Sequence, residues 1–196
     1  MRPAKIIILL ALILLALAAY FYVSKPSLTP VPKLETGDIA FRRENSFWGD
    51  IATSAARKEG KYSHSGVIVV EKGKIYVIHA YADVNSKQAE VAKQSLDEFL
   101  HNASAKGFYR LNFPAKIRTD IAKQALVYYN NRTPFDDNFS LEDDKKVYCT
   151  ELVWRSIKTA SGYDVAPIKS TMLGKAVIGN DDLYGGGFMQ EVRAGQ

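Results

Sequence analysis

Hydrophobic and polar positions divide this chain into an apolar opening and a mixed remainder. From Ile6 to Val23 eighteen residues run without a charge, behind Arg2 and Lys5. At about 1.5 Å per residue in a helix, that length just spans a hydrocarbon core. Ser24 to Pro32 then carries three prolines in nine residues and reads as a short extended tether. Beyond it the periodicity changes repeatedly. Gly37 to Arg42 predicts a strand with Ile39 and Phe41 on one face. Phe47, Trp48, Ile51, Ala52 and Ala55 recur at helical steps until Gly60. Two apolar runs, Gly66 to Val70 and Ile75 to Tyr81, flank Glu71-Lys72-Gly73-Lys74 and predict a β-hairpin.

The second half is less regular. Val84 to Lys106 is polar and helix-tolerant without a strong stripe, and Gly107 to Leu111 predicts another strand. Thr119 is placed to cap a helix through Asn130, with Ile121, Ala125 and Tyr128 facing inward. Asn131 to Lys146 reads as loop. A helix then runs from Cys149 to about Ala160, with Gly162 as its stop. Its apolar stripe, Leu152, Val153, Ile157 and Ala160, lies on the Cys149 face. The tail is Gly-rich, with a last strand predicted at Phe188 to Val192. No internal repeat occurs.

The organisation expected is therefore a membrane anchor or signal peptide at 1–23, a Pro-rich linker at 24–33 and one domain at 34–196. The Ala16-Leu17-Ala18 triplet resembles a cleavage site, but the apolar run continues past it, which favours an uncleaved anchor. No cysteine follows the run, so lipoprotein processing is excluded. Positive charges before the run place the N-terminus in the cytoplasm and the domain on the extracytoplasmic, periplasmic side; cleavage would secrete it. The formal charge of +5 falls to +3 once Arg2 and Lys5 are set aside with the apolar segment. Basic residues are dispersed and do not alternate with aromatics, so no nucleic-acid partner is expected.

Cys149 is the one cysteine. At a helix N-terminus it would sit beside unpaired N–H groups and the positive end of the helix dipole, both of which favour a thiolate. In an oxidising compartment a lone thiol asks for a reason. A partner comes from the hairpin. A two-residue turn at Lys72-Gly73 sets His64 opposite Tyr81 and Gly66 opposite His79, making the two histidines diagonal neighbours on one face. An odd turn or a bulge would separate them. Singly, each histidine reads as a packing or hydrogen-bonded residue; with Cys149 they form a thiol, a base and an orienting group, His64 accepting the thiol proton and His79 fixing its tautomer. Tyr148 and Tyr62 are candidate oxyanion donors or site walls. The spacing of Glu151 turns it away from the site, and Asp38 is expected to bond locally. No Cys/His cluster has metal-ligand spacing and His101 has no matching partner, so neither a metal nor a cofactor is expected.

Gly37-Asp38-Ile39, Tyr62-Ser63-His64-Ser65-Gly66-Val67, the polar position at His79 and Tyr148-Cys149-Thr150-Glu151-Leu152-Val153, in that order, resemble the circularly permuted papain-like cysteine hydrolases. Within them the chain is similar to the YiiX/YebB-type branch of the NlpC/P60 superfamily, related to the lecithin:retinol acyltransferase-like proteins. The resemblance covers nearly the whole domain. It implies an α+β, circularly permuted papain-like (NlpC/P60) fold with an antiparallel sheet packed against helices, here behind an N-terminal transmembrane helix. It also implies Cys149 as nucleophile and His64 as base. The third position is acidic or amide in the YiiX-type branch and histidine in the acyltransferase-like branch; here it is His79. The function expected is a membrane-anchored cysteine amidase or peptidase acting by a thioester mechanism, with peptide, peptidoglycan or lipid as substrate. The alternatives are a thiol acyltransferase or lipid hydrolase, and a catalytically silent binding module.

Overall fold

The computed structural model describes residues 32–44, 60–82, 89–172 and 174–193. The expected anchor at 1–23, most of the linker and the helix expected over Phe47 to Ala55 lie outside the described residues. Among the described residues no helix is long and apolar enough to cross a membrane.

A sheet of six antiparallel strands organises the domain. The strands are β1 (Ile39–Arg43), β2 (His64–Glu71), β3 (Lys74–Ala82), β4 (Ala89–Ser95), β5 (Ala105–Leu111) and β8 (Met189–Glu191), in the order β4-β3-β2-β1-β5-β8. The hairpin between β2 and β3 forms as the sequence predicts. Lys72 and Gly73 take φ of 49° and 77°, the two positive values that a tight two-residue turn requires. The ladder runs from Glu71↔Lys74 to Val67↔Ile78. Its register is the one that places Gly66 against His79: a Cβ on Gly66 would lie 2.9 Å from His79 Cβ.

Both faces of the sheet are covered, which explains why its central strands are apolar runs rather than alternations. Ile39, Phe41, Val67, Val69, Ile78 and Ala80 form the larger core with Ile121 and Ala125 of α2 (Ala115–Asn130) and Leu152, Val153 and Ile157 of α3 (Cys149–Ser161). Ala40, Ile68 and Val77, on the opposite face, meet Leu34, Phe108 and the Leu96 and Phe99 side chains of α1 (Leu96–Phe99). Gly162 closes α3 at φ 77°, the left-handed cap expected of it.

The structure departs from the sequence reading in three places. The polar stretch before Lys106 holds strand β4 and helix α1, the helix started by a capping box in which the Ser95 N–H donates to Glu98 Oε2 at 2.8 Å and the Glu98 N–H donates to Ser95 Oγ at 3.3 Å. Helix α2 begins four residues earlier than its expected cap. Pro114 precedes it, and Thr119 lies inside, its hydroxyl donating to the Ala115 carbonyl at 3.0 Å. The Gly-rich tail contains a small hairpin of β6 (Ser170–Met172) and β7 (Lys175–Val177) and the short helix α4 (Asn180–Tyr184), besides the expected last strand.

Candidate active site

Sheet register assembles a three-residue relay. His79 on β3 faces Ala92 on β4, so Gln94, two residues on, is its diagonal neighbour. His64 stands in the same diagonal relation to His79 across the β2–β3 side. The result is a chain of contacts at fifteen-residue intervals. His64 Nε2 lies 2.8 Å from His79 Nδ1, and His79 Nε2 lies 3.0 Å from Gln94 Oε1. The rings cross at 89°, and the Phe99 ring of α1 packs against both, with centroids 5.6 and 5.1 Å away. His79 is fully buried and His64 nearly so.

Arg42 sits directly across from His64 in the β1–β2 ladder. Its guanidinium lies over the Phe99 ring at 4.6 Å, donates to the Phe99 carbonyl and pairs with Glu44. A buried cation beside two imidazoles opposes their protonation. Burial, reinforced by its His79 and Arg42 neighbours, holds His64 well below the usual histidine range. Burial and then Arg42 push His79 down to about 3, against the pull of its Gln94 hydrogen bond. Both rings are neutral at rest.

Cys149 is the first residue of α3. Its sulfur meets the backbone N–H groups of Ser65, Thr150 and Cys149 itself, so the helix end and strand β2 converge on it. Ser65 is the residue after His64, just past the last rung of the β2–β3 ladder. These N–H groups favour the thiolate as the helix-end reading expects, but burial outweighs them. The thiol is pushed up to about 11, with the Glu44 carboxylate adding to the rise. The helix-end N–H groups and desolvation thus act on the thiol in opposite directions.

The other predicted residues divide clearly. The Tyr148 hydroxyl accepts the Ile178 N–H at 2.7 Å and its ring packs on Phe139 at 5.2 Å, so it is wall. Tyr62 stacks on Phe41 at 5.4 Å within an aromatic cluster that includes Tyr109 and Tyr184, and is wall also. Glu151 is buried away from the sulfur, accepting the Tyr148 N–H and pairing with Arg155 at 2.7 Å. Asp38 accepts the local Glu35 N–H, and also forms a two-pronged pair with the distant Arg110 of β5. His101, with Arg42, Glu44, Tyr81, Gln94 and Asn102, lines a cavity of about 370 Å³ beside the relay. Gln94 and Arg42 are the site residues that sequence reasoning missed. Repetition of the fifteen-residue step from His64 to His79 to Gln94 was the available signal, and it needed the β3–β4 register to be legible.

A strand histidine preceding a helix-borne cysteine, on an antiparallel sheet packed between helices, defines a permuted papain-like amidase. The family model for permuted papain-like amidases of the YaeF/YiiX type, C92, matches residues 33–190, and the chain belongs to this family of cysteine amidases and peptidases. YiiX of Escherichia coli K12 is 29% identical over 134 residues, which are 67% of this chain and 61% of that relative's length. A crystal structure from Escherichia coli O157:H7, described as the metalloprotein yiiX, superposes with a TM-score of 0.67 at 22% identity, covering 82% of this chain and 97% of that one. His64 Nε2, His79 Nδ1 and His79 Nε2 are all engaged within the relay, and among the described residues no group of three His, Cys, Asp or Glu side chains is placed to hold an ion.

Proposed function

We propose that the chain is a membrane-anchored, extracytoplasmic amidase that cleaves peptide amide bonds, with cell-wall stem peptides as its substrate class. Cys149 is the nucleophile, His64 the general base and His79 the residue that orients it. The His64–His79 contact, together with a thiol seated on the N–H of Ser65, the residue after His64, supports this reading. Because thiol and imidazole are both neutral, proton transfer accompanies attack. The thiol proton passes to His64 Nδ1 as the sulfur–carbon bond forms, and His64 Nε2–H, donating to His79, stabilises the imidazolium. The Cys149 N–H supports the oxyanion. His64 then protonates the leaving nitrogen as the carbon–nitrogen bond breaks. Water resolves the thioester with His64 as base, and the proton returns to sulfur.

The uncharged Ile6–Val23 run and the Pro-rich tether support the extracytoplasmic placement. Full-length protein incubated with cell-wall fragments and, separately, with phospholipid vesicles, each beside Cys149→Ala, tests the reading. Cys149-dependent appearance of new amino groups from the fragments is expected. Acyl release from lipid with intact peptides would replace it with a lipid hydrolase, and equal behaviour of wild type and Cys149→Ala would leave only a binding module.

A further inference from the structure

Gln94 closes the relay at the end remote from the thiol, and its chemistry has a consequence for the base. A neutral imidazole has one donor and one acceptor nitrogen. Gln94 turns its amide oxygen and not its NH2 toward His79 Nε2 at 3.0 Å, and in that orientation it accepts, so His79 Nε2 carries the ring proton. His79 Nδ1 is then an acceptor, and the His64 Nε2 at 2.8 Å must donate to it. That leaves His64 Nδ1 with a bare lone pair. Reversed, the same contacts would place a proton on His64 Nδ1 and disable it as a base. We propose that Gln94 is a positioning residue that fixes the proton direction of the whole relay, and thereby keeps His64 Nδ1 free to take the thiol proton. Its catalytic consequence rests on the amidase reading, whereas the proton direction itself does not.

Two features make the amide necessary. Burial and Arg42 keep both rings neutral, so each carries one proton and the direction of one contact dictates the other. Gln94 also lines the polar cavity beside the relay. Water entering in its place could donate or accept equally, and the direction would be lost. The charged and titratable groups around this end are Arg42 from β1 and Glu44 just after it, Tyr81 from β3, and Glu98 and His101 from α1 and the turn after it.

Full-length protein labelled with ¹⁵N-histidine holds three histidines, and His101→Gln assigns the one outside the relay. Ring nitrogen shifts are expected to show His64 and His79 both protonated on Nε2. Gln94→Leu should give mixed tautomers and a kcat lower by roughly ten- to a hundredfold, with KM little changed. Gln94→Glu, which can only accept, should keep the Nε2–H tautomers and most of the activity, with the acid limb of kcat/KM moved to higher pH. A wild-type His64 protonated on Nδ1, or a Gln94→Leu protein with unchanged tautomers and kcat, would overturn the proposal. Should Gln94→Leu not fold, the wild-type and Gln94→Glu spectra decide. Absence of Cys149-dependent hydrolysis in the wild type would strike the amidase reading, while the ring spectra would still decide the proton direction.

Discussion

His64 Nε2 lies 2.8 Å from His79 Nδ1 inside a sheet face closed by Phe99, and two protonated rings could not make that contact, since both nitrogens would then be donors. Protonating either buried ring adds a charge beside Arg42.

Folding is consequently linked to acid. Both histidines have native values below their unfolded ones, His79 down to about 3, so the unfolded chain binds more protons below the ordinary histidine range. The sign follows: stability is fully present above about pH 6.5 and is lost as pH falls toward the native values, at up to about 1.4 kcal/mol per pH unit for each ring. Urea unfolding between pH 7 and pH 4 should show this slope, and His79→Gln should flatten it. A His79→Gln slope equal to the wild type would refute the linkage.

The thiol runs the other way. With a native value pushed up to about 11, Cys149 keeps its proton where an unfolded thiol, near 8.5, has lost it. Iodoacetamide should alkylate the resting enzyme more slowly than a free thiol at pH 8, and stability relative to Cys149→Ala should decline as pH rises from about 8.5 toward about 11. An alkylation midpoint below pH 7 would instead mean a preformed thiolate–imidazolium pair.

These two linkages also show what the sequence can and cannot express. The β2–β3 register was legible because Lys72-Gly73 admits a tight turn and the flanking runs are apolar, and register alone brings His64 to His79. Helix α3 was legible from its stripe and from Gly162. Strand β4 was not, because Glu90, Lys93 and Gln94 lie on a sheet edge where polar residues are tolerated, and α1 has only four residues. Without β4 there was no Gln94 in the relay. The upward push of burial on the Cys149 thiol was not legible for a different reason. Helix-end N–H groups follow from position in the sequence, whereas desolvation follows from everything packed around the sulfur.

Gly66 provides a steric test of the relay. A Cβ there would lie 2.5 Å from Val77 Cγ1, 2.7 Å from the Ile78 carbonyl oxygen and 2.9 Å from His79 Cβ. Two of these atoms belong to or adjoin the β3 backbone, so relief requires the strands to part. Gly66→Ala should destabilise by about 1–3 kcal/mol and lower kcat at least about tenfold by stretching the histidine contact. Denaturant titration and steady-state kinetics read the two effects. Full activity in Gly66→Ala would mean that catalysis does not depend on that contact.

Arg42 tests whether charge or packing sets the base. It faces His64 across β1–β2, lies over Phe99, donates to the Phe99 carbonyl and pairs with a half-buried Glu44. Arg42→Met removes the cation and leaves both of these acceptors without it, so stability should fall by about 2–3 kcal/mol. The same change relieves the repulsion that holds His64 and His79 neutral, so the acid limb of kcat/KM, which reports the free enzyme's base, should move to higher pH. Arg42→Lys separates the two contributions. It keeps a positive charge but loses the planar fork, so it should lose stability in the same direction while its acid limb stays close to the wild type. If Arg42→Met and Arg42→Lys shift the limb equally, the guanidinium acts on the relay through packing and not through its charge.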